Sequence, residues 1–301
     1  MRSSPPSASA PGEARRGLLA AMGAFFIWGL LPLYLRPLHG IAALTIMSHR
    51  LVWCCLFVNA WLLLRRDIGG VGTALADPST RWRLVASALL ISTNWLVYVW
   101  AVGSGHVVEA SLGYFINPLV NVLLGVAILG EVLRPLQWTA VACATAGVAW
   151  LTYQSGHLPW IALILAVSFG SYGLIRKTVH VESLAGLAAE TTLIAPLGAL
   201  WLLWEALRGP GAFGGAAGAL VAWLVAGGVV TAVPLALFAF GARRIPYATV
   251  GILQYIGPSL QLAAGILVFG EPFPPARLAG FALIWSALVL YAGDGLRRRS
   301  S

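Results

Sequence analysis

The chain has 301 residues, of which 59% are hydrophobic and only 10% charged, against roughly 45–50% apolar and about 25% charged in soluble domains. That balance excludes an ordinary water-soluble enzyme, because too few polar side chains exist to cover the surface of one. The net charge of +9 would suit a nucleic-acid partner, but the arginines stand in short clusters between apolar runs, such as Arg65–Arg66 and Arg297–Arg299, and therefore read as membrane-topology signals with no nucleic acid implied.

Residues 1–16, rich in Ser, Pro and Ala, are expected to be a disordered tail. A basic start precedes an apolar run, but no short h-region with a small-residue cleavage site follows, so the first run reads as a retained helix. A span needs about 20 mostly apolar residues. Runs and breakers give ten: 17–35, 41–63, 83–102, 107–129, 136–153, 157–175, 185–204, 218–240, 246–269 and 276–293. Gly and Pro punctuate the short connections between them. A basic tail, 294–301, closes the chain. Cys54, Cys55 and Cys143 all lie inside apolar runs without CxxC or His spacing, so neither disulfide nor metal site is expected.

Orientation follows from Lys and Arg near span ends. With the N-terminus in the cytoplasm, the inner segments collect Arg2, Arg15, Arg16, Arg65, Arg66, Arg81, Arg83, Arg134, Arg176, Lys177, Arg243, Arg244, Arg297, Arg298 and Arg299. The outer ones collect only Arg36, Arg208 and Arg277, and Arg50 is left inside a span. Nine spans would strand the basic C-terminus outside, so the bias favours ten spans with both termini cytoplasmic.

The chain also repeats. Ser111–Pro135 overlays Gly251–Pro275 with a shift of 140, matching Ile116 to Ile256, Pro118 to Pro258, Gly125 to Gly265, Gly130–Glu131 to Gly270–Glu271 and Pro135 to Pro275. Five spans per repeat is an odd number, so the halves must be inverted, and inverted repeats with a site between them near the midplane are a transporter signature.

Ionisable groups within apolar runs cost about 2.5–3.5 kcal/mol on insertion scales and usually face the bundle interior. Arg50 stays charged at any working pH; it could hold a substrate carboxylate or phosphate, or lock two helices. His49 could carry a proton or act as a packing donor. Glu190 falls opposite His49 with a shift of 141 and is a candidate counter-charge for Arg50 or a proton site. Glu109 opens the fourth span, where an acid meets the dipole of its own helix; a gate or a contact to a substrate amine is the competing role. Uncharged polar groups cluster as well: Asn94, Trp95 and Tyr98 in the third run, Tyr114 and Asn117 in the fourth, Gln254 and Tyr255 in the ninth. Pro118 and Pro258 are expected to kink their helices and free a carbonyl. Helix–helix hydrogen bonding is the plainer explanation for part of this set. No GxSxG, HExxH, Walker loop or nucleotide fingerprint occurs, so no enzyme is expected.

FFIWGLLPLYLRPL, His49–Arg50, NWLVYVWAV, EASLGYFINPL, Gly130–Glu131 and LQYIGPSL together resemble the RarD branch of the EamA family, within the drug/metabolite transporter superfamily, from Gly17 to Gly293. The resemblance implies an all-α membrane protein of ten transmembrane helices in two EamA repeats, 17–153 and 157–293. It also implies a multi-pass permease of the inner membrane that alternates between inward- and outward-open states and is associated with chloramphenicol sensitivity or resistance. The combined expectation is a secondary transporter of a small metabolite or drug, using no cofactor, with proton coupling and homodimer formation both open. A scramblase-like lipid-handling protein is the alternative, and it would need polar grooves facing lipid.

Overall fold

The computed structural model describes residues 11–130, 133–209, 218–242, 244–245 and 253–297. Backbone polar groups in hydrocarbon can be satisfied only by helices or closed barrels, and among the described residues only helices occur. Pro11–Gly29 (α1) bends by 43° into Leu31–Leu35 (α2), which a single 3₁₀ turn over Arg36–Leu38 ends. Ala43–Leu64 (α3), the short Gly69–Ala76 (α4), Pro78–Gly103 (α5) and Val107–Leu129 (α6) follow. Pro135–Ser155 (α7), Trp160–Thr178 (α8), Ser183–Arg208 (α9), Gly218–Ala242 (α10), Ile256–Leu267 (α11) and Pro275–Arg297 (α12) complete the set.

Five of these, α3, α5, α6, α9 and α10, are long and apolar enough to cross a membrane, and the bent α1–α2 pair makes a sixth; α8, α11 and α12 carry shorter apolar stretches. Local chemistry sets the ends. Asp77 caps α5 by accepting from the Thr80 N–H at 2.8 Å, with Pro78 in the first turn, where its missing donor costs nothing. Gly130 at the C-terminal cap of α6 and Gly270, its repeat match, three residues beyond the end of α11, share a left-handed conformation, at φ 66° and 67°, which glycine adopts without strain.

The ends differ from the sequence reading in two places. Helix α1 begins at Pro11, so residues 11–16 of the expected tail are helical; Pro at the first position and Glu13 in the first turn are good helix starters. At the other end, α12 runs through Arg297 into the expected basic tail. Residues 1–10 and 298–301 lie outside the described residues, as do Glu131 and Arg243.

The packing repeats with the halves exchanged. In the 140-residue register α1 corresponds to α8, α3 to α9, α5 to α10, α6 to α11 and α7 to α12. Helix α1 packs on α10 and α11, and α8 packs on α5 and α6; α3 packs on α10, and α9 on α5. Helices α3 and α9, α6 and α11, and α7 and α12 pack on their own counterparts. Close approach relies on glycine, as in other membrane helix pairs. A Cβ added at Gly29 would meet Leu260 at 2.7 Å, and one at Gly170 would meet Val120 at 3.0 Å; both members of that contact are related by the repeat. The largest apolar core joins Leu112, Phe115 and Leu119 of α6 to Phe281, Ile284 and Leu288 of α12. A second seals one end, with Leu35, Leu38, Val102, Val107 and Ile161. A third joins Val58 and Leu62 to α4 and α9 at the other.

Candidate functional site

Arg50 and Glu190 are each the eighth residue of matching helices, α3 and α9, and both are buried, at 3% and 1% exposure. Each anchors its own polar cluster.

The Arg50 side chain is turned into the bundle. Its Nε donates to Thr231 Oγ1 of α10 at 3.2 Å, while Thr231 donates its own hydroxyl proton to the Gly227 carbonyl at 2.8 Å. The guanidinium carbon lies 5.4 Å from the Trp95 ring centre, within cation–π range. The hydroxyls of Tyr34, Tyr98 and Tyr114 are within electrostatic reach. Tyr98 and Tyr114 face each other at 5.8 Å between ring centres. The Tyr114 hydroxyl donates to Asn94 Oδ1 at 3.0 Å, and Asn94 Nδ2 donates to the Leu165 carbonyl and Ser168 Oγ of α8, at 2.9 and 3.0 Å. Asn94 thus ties the cluster to the second half. Arg50 Nη1, the Tyr98 hydroxyl and Asn117 Oδ1 are buried without a hydrogen-bond partner. His49 is fully buried next to Arg50 in the chain.

Glu190 has a different cation from the one expected. Arg176, at the end of α8, lies 3.6 Å from Glu190 Oε1, and among the described residues no carboxylate pairs with Arg50. Ser87 of α5 donates to Glu190 Oε1 and Tyr172 to Oε2, the latter at 3.4 Å. The expected Arg50–Glu190 pair is therefore replaced by two separate clusters, one cationic and one neutralised.

Glu109 also acts elsewhere than on its own helix: its Oε1 accepts from the Ile161 N–H in the first turn of α8, at 3.2 Å. Glu271 does the same for α6, accepting from the Val107 and Val108 N–H groups. A carboxylate is favourable at both helix N-termini; Glu109 ties α6 to α8, and Glu271 ties the α11–α12 connection to α6. Beside them, Tyr34 and Trp223 clasp each other. The Tyr34 hydroxyl donates to the Trp223 carbonyl and Trp223 Nε1 to the Tyr34 carbonyl, both at 2.7 Å, with the rings stacked 5.5 Å apart.

Of the expected site residues, Arg50, Asn94, Trp95, Tyr98 and Tyr114 come together. Tyr255 does not join them; it stacks on Phe115 at 6.4 Å in the α6–α12 core, and Gln254 sits half-buried in the turn before α11. Pro118 is inside α6, as expected. Pro258 stands in the first turn of α11, just after a turn at Gln254–Tyr255, and residues 246–252 of its expected span lie outside the described residues. Thr231, Tyr34, Ser87, Ser168 and Arg176 were not singled out in the sequence. Hydroxyls in apolar runs cost too little to stand out, and Arg176 reads as a span-end arginine.

Residues 15–153 match the family model described as EamA-like transporter family. The chain is 49% identical over 291 residues to an uncharacterised transporter of Pseudomonas aeruginosa, covering 96% of this chain and 97% of that protein. It is 43% identical over 293 residues to protein RarD of Streptomyces exfoliatus, covering 97% and 93%. A solved crystal structure, 22% identical, superposes with a TM-score of 0.59 over 95% of this chain and 99% of its own, and so shares the fold. A multi-pass membrane chain, with only helices among its described residues and relatives this close over nearly its full length, belongs to the RarD branch of the EamA-like transporter family.

Proposed function

We propose that this permease is a secondary transporter that moves a small metabolite or drug across the inner membrane by alternating access. Two inverted five-helix halves, 17–153 and 157–293, then cross the membrane ten times with both termini cytoplasmic. The observation that carries this reading is the direction of Arg50, Asn94 and Tyr98. All three are buried between helices of both halves, whereas a lipid-facing set would have no access path for cargo. The exchange of helix contacts between halves supports the inverted arrangement, because a rocking motion needs two equivalent packings of similar stability. The arginine distribution supports the cytoplasmic termini. Arg50, Trp95, Tyr98, Tyr114 and Asn94 form the cargo site, and the Tyr34–Trp223 clasp with Glu109 and Glu271 closes one end.

A lipid-handling role is less well supported. The groove of about 470 Å³ lined by Phe115, Leu262, Ile266 and Trp285 has Ser259 as its single polar lining residue, which offers a lipid headgroup no path. The test is flux in proteoliposomes. At least one labelled compound from a panel of small metabolites and drugs, chloramphenicol included, should be carried by the parent protein and lost in Tyr114→Ala, and collapse of an imposed pH gradient should stop accumulation if protons drive it. Flux equal to that of empty liposomes across a wider metabolite panel as well would sink the transporter reading, and lipid flipping would replace it.

A further inference from the structure

The geometry points to an organic anion with a planar apolar body as the cargo class, its acidic group held by Arg50 Nη1 and the Tyr98 hydroxyl. The inference rests on the transporter reading above and narrows what the site accepts.

Arg50 is permanently charged and buried, yet among the described residues it has no carboxylate partner. The expected partner, Glu190, is occupied by Arg176, Ser87 and Tyr172. The site therefore carries an unbalanced positive charge in a low-dielectric surrounding, a condition that a bound anion relieves. Of the three unpartnered atoms in the cluster, Arg50 Nη1 and the Tyr98 hydroxyl are donors, and Asn117 Oδ1 is an acceptor. Thr231 spends its proton on Gly227, so it can only accept from Arg50 Nε, which fixes the guanidinium and leaves Nη1 unpartnered. Tyr114 spends its proton on Asn94, which leaves Tyr98 as the hydroxyl with a proton to give. A fixed fork of N–H donors beside a phenol matches the oxygens of a carboxylate, sulfonate or phosphate. Trp95, Tyr98 and Tyr114 add flat aromatic faces around it, which suit a planar apolar body. A neutral cargo leaves the charge unmatched, and a cation is repelled by it.

Three isosteres separate these cases: benzenesulfonate, benzenesulfonamide and benzyltrimethylammonium. Thermal unfolding of the purified full chain at fixed chloride should rise by about 3 °C with benzenesulfonate once it exceeds its dissociation constant roughly tenfold, and not with the other two. Arg50→Gln should abolish that shift while unfolding, without ligand, at or above the parent temperature, because it removes an uncompensated buried charge. If Arg50→Gln does not fold, Tyr98→Phe serves, and should weaken benzenesulfonate binding by about fivefold. A sulfonamide shift equal to that of the sulfonate, no sulfonate shift at millimolar concentration, or a shift unchanged by both variants overturns the anion assignment. Uptake into proteoliposomes separates the two claims. Arg50-dependent benzenesulfonate binding without uptake would leave the anion site and refute transport, whereas sulfonamide uptake independent of Arg50 would leave transport and refute the anion site.

Discussion

The Arg176–Glu190 pair is open to a double-mutant cycle. Opposite unit charges 3.6 Å apart attract by about 5 kcal/mol at the effective dielectric constant of about 20 that suits protein sites, and desolvation offsets much of that. The two side chains are unequal: Arg176 is 15% exposed and Glu190 only 2%, and Arg176 Nη2 already reaches the Ser183 carbonyl at the exposed end of α9. Glu190→Gln therefore leaves an arginine that can swing to water, at about 1–2 kcal/mol. Arg176→Met strands a buried carboxylate on Ser87 and Tyr172, at about 3 kcal/mol or more. The double variant removes both charges and should be less destabilised than the sum by about 2 kcal/mol. Equilibrium unfolding of the four detergent-solubilised proteins gives the coupling. Additivity within about 0.5 kcal/mol, or Glu190→Gln costing more than Arg176→Met, would refute the pairing.

Gly228 faces α3 so closely that an added Cβ would meet Trp53 Cβ at 2.5 Å and the Cys54 backbone nitrogen at 2.8 Å, so Gly228→Ala should cost about 1–3 kcal/mol in unfolding. Gly23→Ala, whose Cβ would meet only Leu237 at 3.7 Å, should be neutral or stabilising by up to about 1 kcal/mol. The Tyr34–Trp223 clasp closes the end of the bundle near His39; Tyr34→Phe removes one hydrogen bond of about 1 kcal/mol, and a thiol at the Arg50 site should then be labelled from that end about fivefold faster, an unchanged rate arguing against a gate there. Burial pushes the Glu271 carboxyl above its ordinary value, against the two N–H groups that stabilise its ionised form. The folded state then holds that proton more tightly than the unfolded chain, so its contribution to stability is present at low pH and is lost as pH rises from about 4.5 through the raised value. Melting curves across that range should show Glu271→Gln with a flatter dependence than the parent, and parallel curves would refute the assignment.

Much of this was legible in the sequence because hydrocarbon makes polar residues conspicuous. Arg50, Asn94, Tyr98 and Tyr114 stand out in apolar runs, and their only cheap location is the interior. Partners were harder to read. The repeat sets Glu190 near the Arg50 position, which suggests a pair; yet in an inverted arrangement equivalent residues lie at equal depths from opposite faces, so equivalence argues against contact. Arg176 is masked by its position, since a span-end arginine already has a topological explanation. Glu109 carries a capping carboxylate whose helix, α8, is remote in sequence. Pro258 looks like Pro118 in the alignment, and only the backbone distinguishes a helix interior from a helix start.

Exposure of the Arg50 site to both sides of the membrane can be measured with Thr231→Cys in a chain whose Cys54, Cys55 and Cys143 are alanine. An impermeant maleimide is applied to right-side-out and inside-out vesicles, with and without cargo. Labelling from either face, with cargo shifting the ratio between them, is the expected result for one site opened alternately. Labelling from a single face under all conditions, or through both faces at once in the same molecule, would contradict it.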